Sequence, residues 1–171
     1  MKNRLYFSAL FLFAILSDQL TKYLIGSHFE LYEARIIIPD ILSLRYIRNE
    51  GVAFGLHIAT PTVMLVLSII VILLLAYLFF KEHLFADYLA GRIAMTLIFG
   101  GAVGNLIDRF RMGEVSDFVQ MGIGGYTWPV YNLADVYVTT GMCILVYLYL
   151  FKSGKSPGES EKSPELIPPA Q

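Results

Sequence analysis

The chain has 171 residues, of which 56% are hydrophobic and 16% charged, with a formal net charge of −1. A soluble domain carries roughly a quarter charged residues, and here the apolar excess lies in long runs, the pattern of a membrane protein. The small net charge excludes a strong global field for nucleic acid or an acidic surface, and the single cysteine, Cys143, excludes an internal disulfide and a thiolate metal site.

Lys2 and Arg4 precede the apolar stretch 5–17, which has the outline of a signal peptide's n- and h-regions. No small-x-small cleavage site follows. Asp18-Gln19-Leu20-Thr21-Lys22 follows instead, so a retained first span is expected over 5–25. In the long connection 27–60, Leu42, Leu44 and Tyr46 alternate with Ser43 and Arg45, which predicts a strand, and Asn49-Glu50-Gly51 reads as a turn. A small sheet lying on the membrane surface fits this pattern. The stretch 61–80 holds no charge; at 1.5 Å per residue its twenty residues reach ~30 Å, about one hydrocarbon core. A short mixed-charge loop, 81–92, leads to a third span over 89–109. The segment 111–129 contains Gly113, Gly122, Gly124 and Gly125 and is expected to be a flexible loop. A fourth span is expected over 131–151. The tail 153–171, rich in Pro, Ser, Glu and Lys, is expected to be disordered. The expected fold class is an all-α polytopic membrane protein: a unit over 1–152 with four transmembrane helices and a small surface sheet, then the tail.

Successive spans alternate in direction. The end of span 1, the start of span 2, the end of span 3 and the start of span 4 therefore share one side of the membrane. Asp18 and Lys22, Asp108 and Arg109, Asp117 in the last connection and Asp135 about one turn into span 4 gather there. An ionisable side chain inside a span costs a few kcal/mol even on lenient scales, so Asp135 is expected to have a partner or water. Asp18 with Lys22 is an i, i+4 pair, and Asp108 has Arg109 beside it, so ion pairing at helix ends is the plain structural reading of both. With the N-terminus inside, seven basic residues face the inner side and six the outer, so charge alone does not orient the chain.

Gly100, Gly101 and Gly104 have the spacing that lets helices approach closely in lipid. Tyr126, Trp128 and Tyr131 fit an interfacial aromatic belt. Cys143 is expected to be a small packing residue in mid-span. His28, His57 and His83 lack zinc-binding spacing.

Five segments together resemble the lipoprotein signal peptidases (signal peptidase II): Asp18-Gln-Leu-Thr-Lys22, Asn49-Glu-Gly-Val-Ala-Phe54, Gly100-Gly-Ala-Val-Gly-Asn-Leu-Ile-Asp-Arg109, Gly113-Glu-Val-Ser-Asp-Phe118 and Pro129-Val-Tyr-Asn-Leu-Ala-Asp135. They occur in the family's order. The resemblance implies a catalytic pair, Asp117 and Asp135, with Asp18, Lys22, Asn49, Gly51, Asn105, Asp108, Arg109, Asn132 and Ala134 supporting the site or contacting substrate. It implies four helices, an extracytoplasmic β-cradle, a short amphipathic helix and a place in the bacterial cytoplasmic membrane with both termini inside. The implied substrate is a prolipoprotein whose cysteine carries a diacylglyceryl group, and the partners are that substrate and membrane lipids, with no nucleic acid and no second subunit. Two close carboxyl groups that share a proton can activate water and polarise a carbonyl, so no metal or cofactor is required. The rival readings are a small ion or proton transporter, a lipid-binding scaffold, and a Mg²⁺ or Ca²⁺ site built on the same aspartates.

Overall fold

The computed structural model describes residues 2–51, 60–82 and 88–152. Among the described residues four helices run in chain order: α1 (Lys2–His28), α2 (Pro61–Glu82), α3 (Leu89–Met112) and α4 (Leu133–Lys152). Four strands, β1 (Ala34–Ile38), β2 (Leu42–Asn49), β3 (Val115–Ile123) and β4 (Tyr126–Thr127), form one antiparallel sheet in the order β1-β2-β3-β4. Three stretches are long and apolar enough to cross a bilayer: Leu5–His28, Leu89–Met112 and Leu133–Phe151. The corresponding stretch of α2, Pro61–Tyr77, is shorter. The short amphipathic helix is not among the described elements. Val52, Ala53, Phe54, His57, His83 and the tail lie outside the described residues.

The helices bury few side chains against one another and leave many large apolar ones on the outside, including Leu12, Phe13, Leu73 and Leu150. That is the economy of a protein whose solvent is hydrocarbon: the driving force between helices is close packing rather than escape from water. Helix α3 is the hub, touching α1, α2 and α4. Its small residues make this possible. A Cβ at Gly100 would lie 2.7 Å from that of Ala14 in α1, and one at Gly101 would strike the carbonyl oxygen of Ala134 in α4. At Gly104 it would lie 2.6 Å from Oδ2 of Asp18. The α3 helix ends on Gly113, whose φ of 78° lets its N–H return to the Arg109 carbonyl at 2.9 Å. There Gly113 faces Pro61 at the start of α2, so the end of α3 and the start of α2 meet.

The sheet stands on the end of α1. Ile25 of the helix packs with Tyr46 of β2 and Phe118 of β3, with Phe29, Leu44 and Val119 around them. The segment 111–129, expected to be a flexible loop, contains β3 and β4 instead. The β-branched and aromatic content of 115–119 favours a strand. Gly124 (φ 59°) and Gly125 (φ 86°) then form the two-residue turn of a hairpin in which Ile123 pairs with Tyr126. Asp117 accordingly lies on a strand, paired in register with Ile47 of β2, and not in a loop. Helix α4 begins at Leu133, two residues later than expected, which puts Asp135 in its first turn. Cys143 is exposed on α4 and does not pack between helices.

The contact between Gly101 and the backbone of Ala134 gives a test. Gly101→Ala pushes α3 off α4 and should lower stability by roughly 1–3 kcal/mol, read as a reduced unfolding temperature in detergent. A wild-type melting curve would mean that α3 and α4 do not approach as described.

Candidate active site

Three residues of α1 begin the site. Lys22 Nζ donates to Asp18 Oδ2 at 2.9 Å, to Asp108 Oδ2 at 3.1 Å and to Asn105 Oδ1 at 2.9 Å, which uses all three of its protons. Gln19 Nε2 bridges the same two carboxylates, lying 3.2 Å from Asp18 Oδ2 and 3.0 Å from Asp108 Oδ1, and also reaches the Gly104 carbonyl at 3.1 Å. Asp18, Lys22 and Asp108 are all buried. Buried charge is tolerated only when paired and hydrogen-bonded, and here two carboxylates share one ammonium with an amide making up the difference.

The two carboxylates also hold backbone. Asp18 Oδ1 accepts from the Ala134 N–H at 3.0 Å, and Asp108 Oδ2 accepts from the Ser116 N–H at 3.1 Å. Ala134 is the residue before Asp135 and Ser116 the residue before Asp117. The Ala134 N–H is one of the donors that the start of α4 leaves without an intrahelical partner, and a carboxylate is favoured there. Ala134 has no exposed surface and presses its carbonyl on Gly101, so no larger side chain fits.

Asn132 caps α4. Its Oδ1 accepts from the Asp135 N–H at 3.0 Å while Asp135 Oδ2 accepts from the Asn132 N–H at 3.1 Å, a reciprocal capping pair. The remaining polar atoms then fall into one arrangement. Backbone N–H and lysine only donate, so they fix which way each neighbouring amide points. The Asp135 N–H takes the Asn132 oxygen, leaving Asn132 Nδ2 to donate to Asp117 Oδ1 at 2.7 Å and to Asn105 Oδ1 at 3.0 Å. Lys22 takes the Asn105 oxygen, leaving Asn105 Nδ2 to donate to Asp135 Oδ1 at 2.8 Å. The Gly51 N–H takes the Asn49 oxygen at 2.9 Å, leaving Asn49 Nδ2 to donate to Asp117 Oδ2 at 2.9 Å. Gly51 has φ 99°, and Met64 of α2 crowds it. Each of Asp117 and Asp135 thus accepts one N–H bond on each oxygen.

Asp117 is buried and its carboxyl is pushed up to about 7, first by burial and further by the nearby Asp135; donation from Asn49 and Asn132 and the charge of Lys22 act against this. Asp135 is partly exposed. Arg109 feels the carboxylates of Asp135, Asp117 and Asp108, yet among the described residues it forms no ion pair within 4 Å. An apolar groove of about 650 Å³ runs between the sheet and α4, with Asp135 in its wall. Among the described residues no group of three or more His, Cys, Asp or Glu side chains is placed to hold a metal.

All eleven residues singled out in the sequence lie in or against this cluster. Asp108 pairs with Lys22, not with its neighbour Arg109. Gln19 was not singled out, although it stands inside the first quoted segment. Its partners lie 85 and 89 residues away, and nothing local points to them. Ser17, bonded to the Tyr137 hydroxyl at 2.8 Å, is a second link between α1 and α4 that no motif announced.

Two outcomes follow. Lys22→Met leaves two buried carboxylates without their cation, and should destabilise the protein by about 3–5 kcal/mol, measured by thermal unfolding in detergent. For Asp117 the folded protein binds a proton more tightly than the unfolded chain, whose carboxyl titrates near the model value of 3.8. Stability therefore falls as pH rises from about 4 to about 7, and Asp117→Asn should flatten that slope. A slope unchanged in the variant would remove the assignment.

The model of the family described as signal peptidase (SPase) II matches residues 10–151. Proteins named lipoprotein signal peptidase in Staphylococcus aureus strains JH9 and Newman are 35% identical over 149 residues, covering 87% of this chain and 90% of each relative. A solved structure described as a bacterial membrane enzyme, obtained in meso at 2.3 Å resolution, superposes with a TM-score of 0.77 at 33% identity, covering 90% of this chain and 93% of that one. A second, at 1.9 Å, gives 0.74 at 34% identity over 86% and 94%. A match of this length, shared by sequence and by fold, means that the chain belongs to the signal peptidase II family of membrane proteases.

Proposed function

We propose that the protein is an aspartic endopeptidase that removes the signal peptide from diacylglyceryl-modified prolipoproteins, cutting just before the lipidated cysteine, with Asp117 and Asp135 as the catalytic pair. The observation that carries this reading is the shared hold on the two carboxyl groups. Asn132 bonds both, through its amide to Asp117 Oδ1 and through its backbone N–H to Asp135 Oδ2. The relatives' printed name supports the substrate class.

The chemistry needs one ionised and one protonated carboxyl. The raised affinity of Asp117 for a proton suits it to start protonated near neutrality, although the titration belongs to the pair. The ionised carboxylate takes a proton from water as the oxygen attacks the scissile carbonyl carbon. The protonated carboxyl hydrogen-bonds the carbonyl oxygen, which gains negative charge. Collapse of the tetrahedral species breaks the C–N bond, and a proton from the pair goes to the leaving nitrogen. Signal peptide carboxylate and free cysteine amine result, and the pair returns to one proton. Arg109, held within the field of three carboxylates, is positioned to steady the pair or to meet a substrate carbonyl. Neither metal nor cofactor enters the scheme.

Four spans with both termini in the cytoplasm put the sheet and the aspartates at the extracytoplasmic face of the bacterial inner membrane. The meeting of Pro61 with Gly113 supports that alternation. A substrate held by its acyl chains and its apolar signal helix arrives at the same interface, which reduces the entropy cost of bringing bond and carboxyls together. The enzyme works as a monomer in this reading. Transport finds no support: among the described residues the buried charged side chains, Asp18, Lys22, Asp108 and Asp117, all belong to this one cluster.

The test is release of signal peptide from a lipidated precursor by protein purified in detergent. Asp117→Asn and Asp135→Asn should each lower the rate by roughly 10³-fold or more, while a chelator leaves wild-type cleavage unchanged. Substantial cleavage by either variant would remove the pair; loss with chelator would replace it with a metal.

A further inference from the structure

The groove beside Asp135 has one wall from the sheet, with Met121, Ile123, Tyr126 and Trp128, and the other from α4, with Val136 and Thr139. Among the described residues Asp135 is the one charged side chain in it. We propose that this groove holds an acyl chain of the substrate's diacylglyceryl group, so that the cysteine side of the scissile bond faces the β3–β4 hairpin and α4. The proposal rests on the peptidase reading above and adds a direction to it.

Three observations select the occupant. The lining is overwhelmingly apolar, and an extended peptide laid along it would bring backbone N–H and C=O groups that such walls leave unsatisfied. Size excludes a signal helix: a helix ~10 Å across and ~30 Å long fills over roughly 2,000 Å³, against about 650 Å³ here. Finally, Val136, Thr139 and Thr140 are exposed along the membrane-spanning stretch of α4. The α4 wall of the groove therefore lies on the stretch that lipid tails cover, and Asp135 stands at the start of that same wall. A chain that enters from the bilayer and ends beside the reacting bond is an acyl chain attached at that bond. A resident bilayer lipid has the same tails, but no bond to deliver to the carboxyl pair.

The experiment compares two precursors with the same peptide, one with sixteen-carbon and one with eight-carbon acyl chains. Thr139→Trp, at an exposed position of the α4 wall, fills the groove. Its kcat/KM should fall about tenfold or more on the long-chain precursor and change little on the short-chain one. Met121→Trp, exposed on the opposite wall, should do the same should the first variant fail to fold. Turnover of the short-chain precursor is the control for an intact site. Equal loss on both precursors, or no loss on either, overturns the proposal. So does competition by free phospholipid that is relieved by the tryptophan without any change in chain-length preference, since the groove would then belong to bulk lipid. If wild-type protein cuts neither precursor, it is the peptidase reading that falls.

Discussion

A single lysine ammonium, shut between two buried carboxylates, sets the geometry from which the site follows. Lys22 holds Asp18 and Asp108 together, and each of those carboxylates uses a further bond to hold the backbone just ahead of a proposed catalytic aspartate. The distance between a strand and a helix is thereby referred to one cation. Desolvating three charges is costly, and the cost is offset by completeness: every described buried polar side-chain atom has a partner. It also imposes conditions elsewhere. Gly104 must lack a side chain because Asp18 lies on it, and Gly101 and Ala134 must be small for α4 to come near.

The proposed pair straddles two kinds of structure. Asp117 belongs to a strand packed on the end of α1 through Tyr46 and Phe118; Asp135 belongs to the first turn of a helix that continues through an apolar span. One carboxyl is embedded in the surface sheet and the other is partly open beside an apolar groove. Burial raises the affinity of Asp117 for a proton without any change in its chemistry.

Much of this was legible in the sequence. Long apolar runs gave the helices, and alternation of direction was enough to bring the acidic residues to one face. β2 was legible because Leu42, Leu44 and Tyr46 alternate with polar neighbours. β1 was not, since Ala34–Ile38 is exposed along its whole length and carries no period-two pattern. β3 was misread because glycines flank it, although two glycines between Ile123 and Tyr126 are themselves a hairpin signal. The role proposed for Asp117 came from resemblance alone, because a carboxyl in a supposed loop has no local feature that marks it. Gln19 stayed hidden for a related reason: its work is defined by a carbonyl and a carboxylate on α3, and only the assembled helices bring them within reach.

The fixed amides have a consequence for the acidic hydrogen itself. Asn49, Asn105 and Asn132 all present nitrogen, not oxygen, to the two carboxyl groups. A hydrogen on either carboxyl cannot point at a neighbour that is already donating, so each of those directions is closed to it. What stays open is the side of each oxygen turned away from the asparagines. The ring of amides therefore acts as a fence that steers a mobile hydrogen into whatever gap a water or a peptide carbonyl enters.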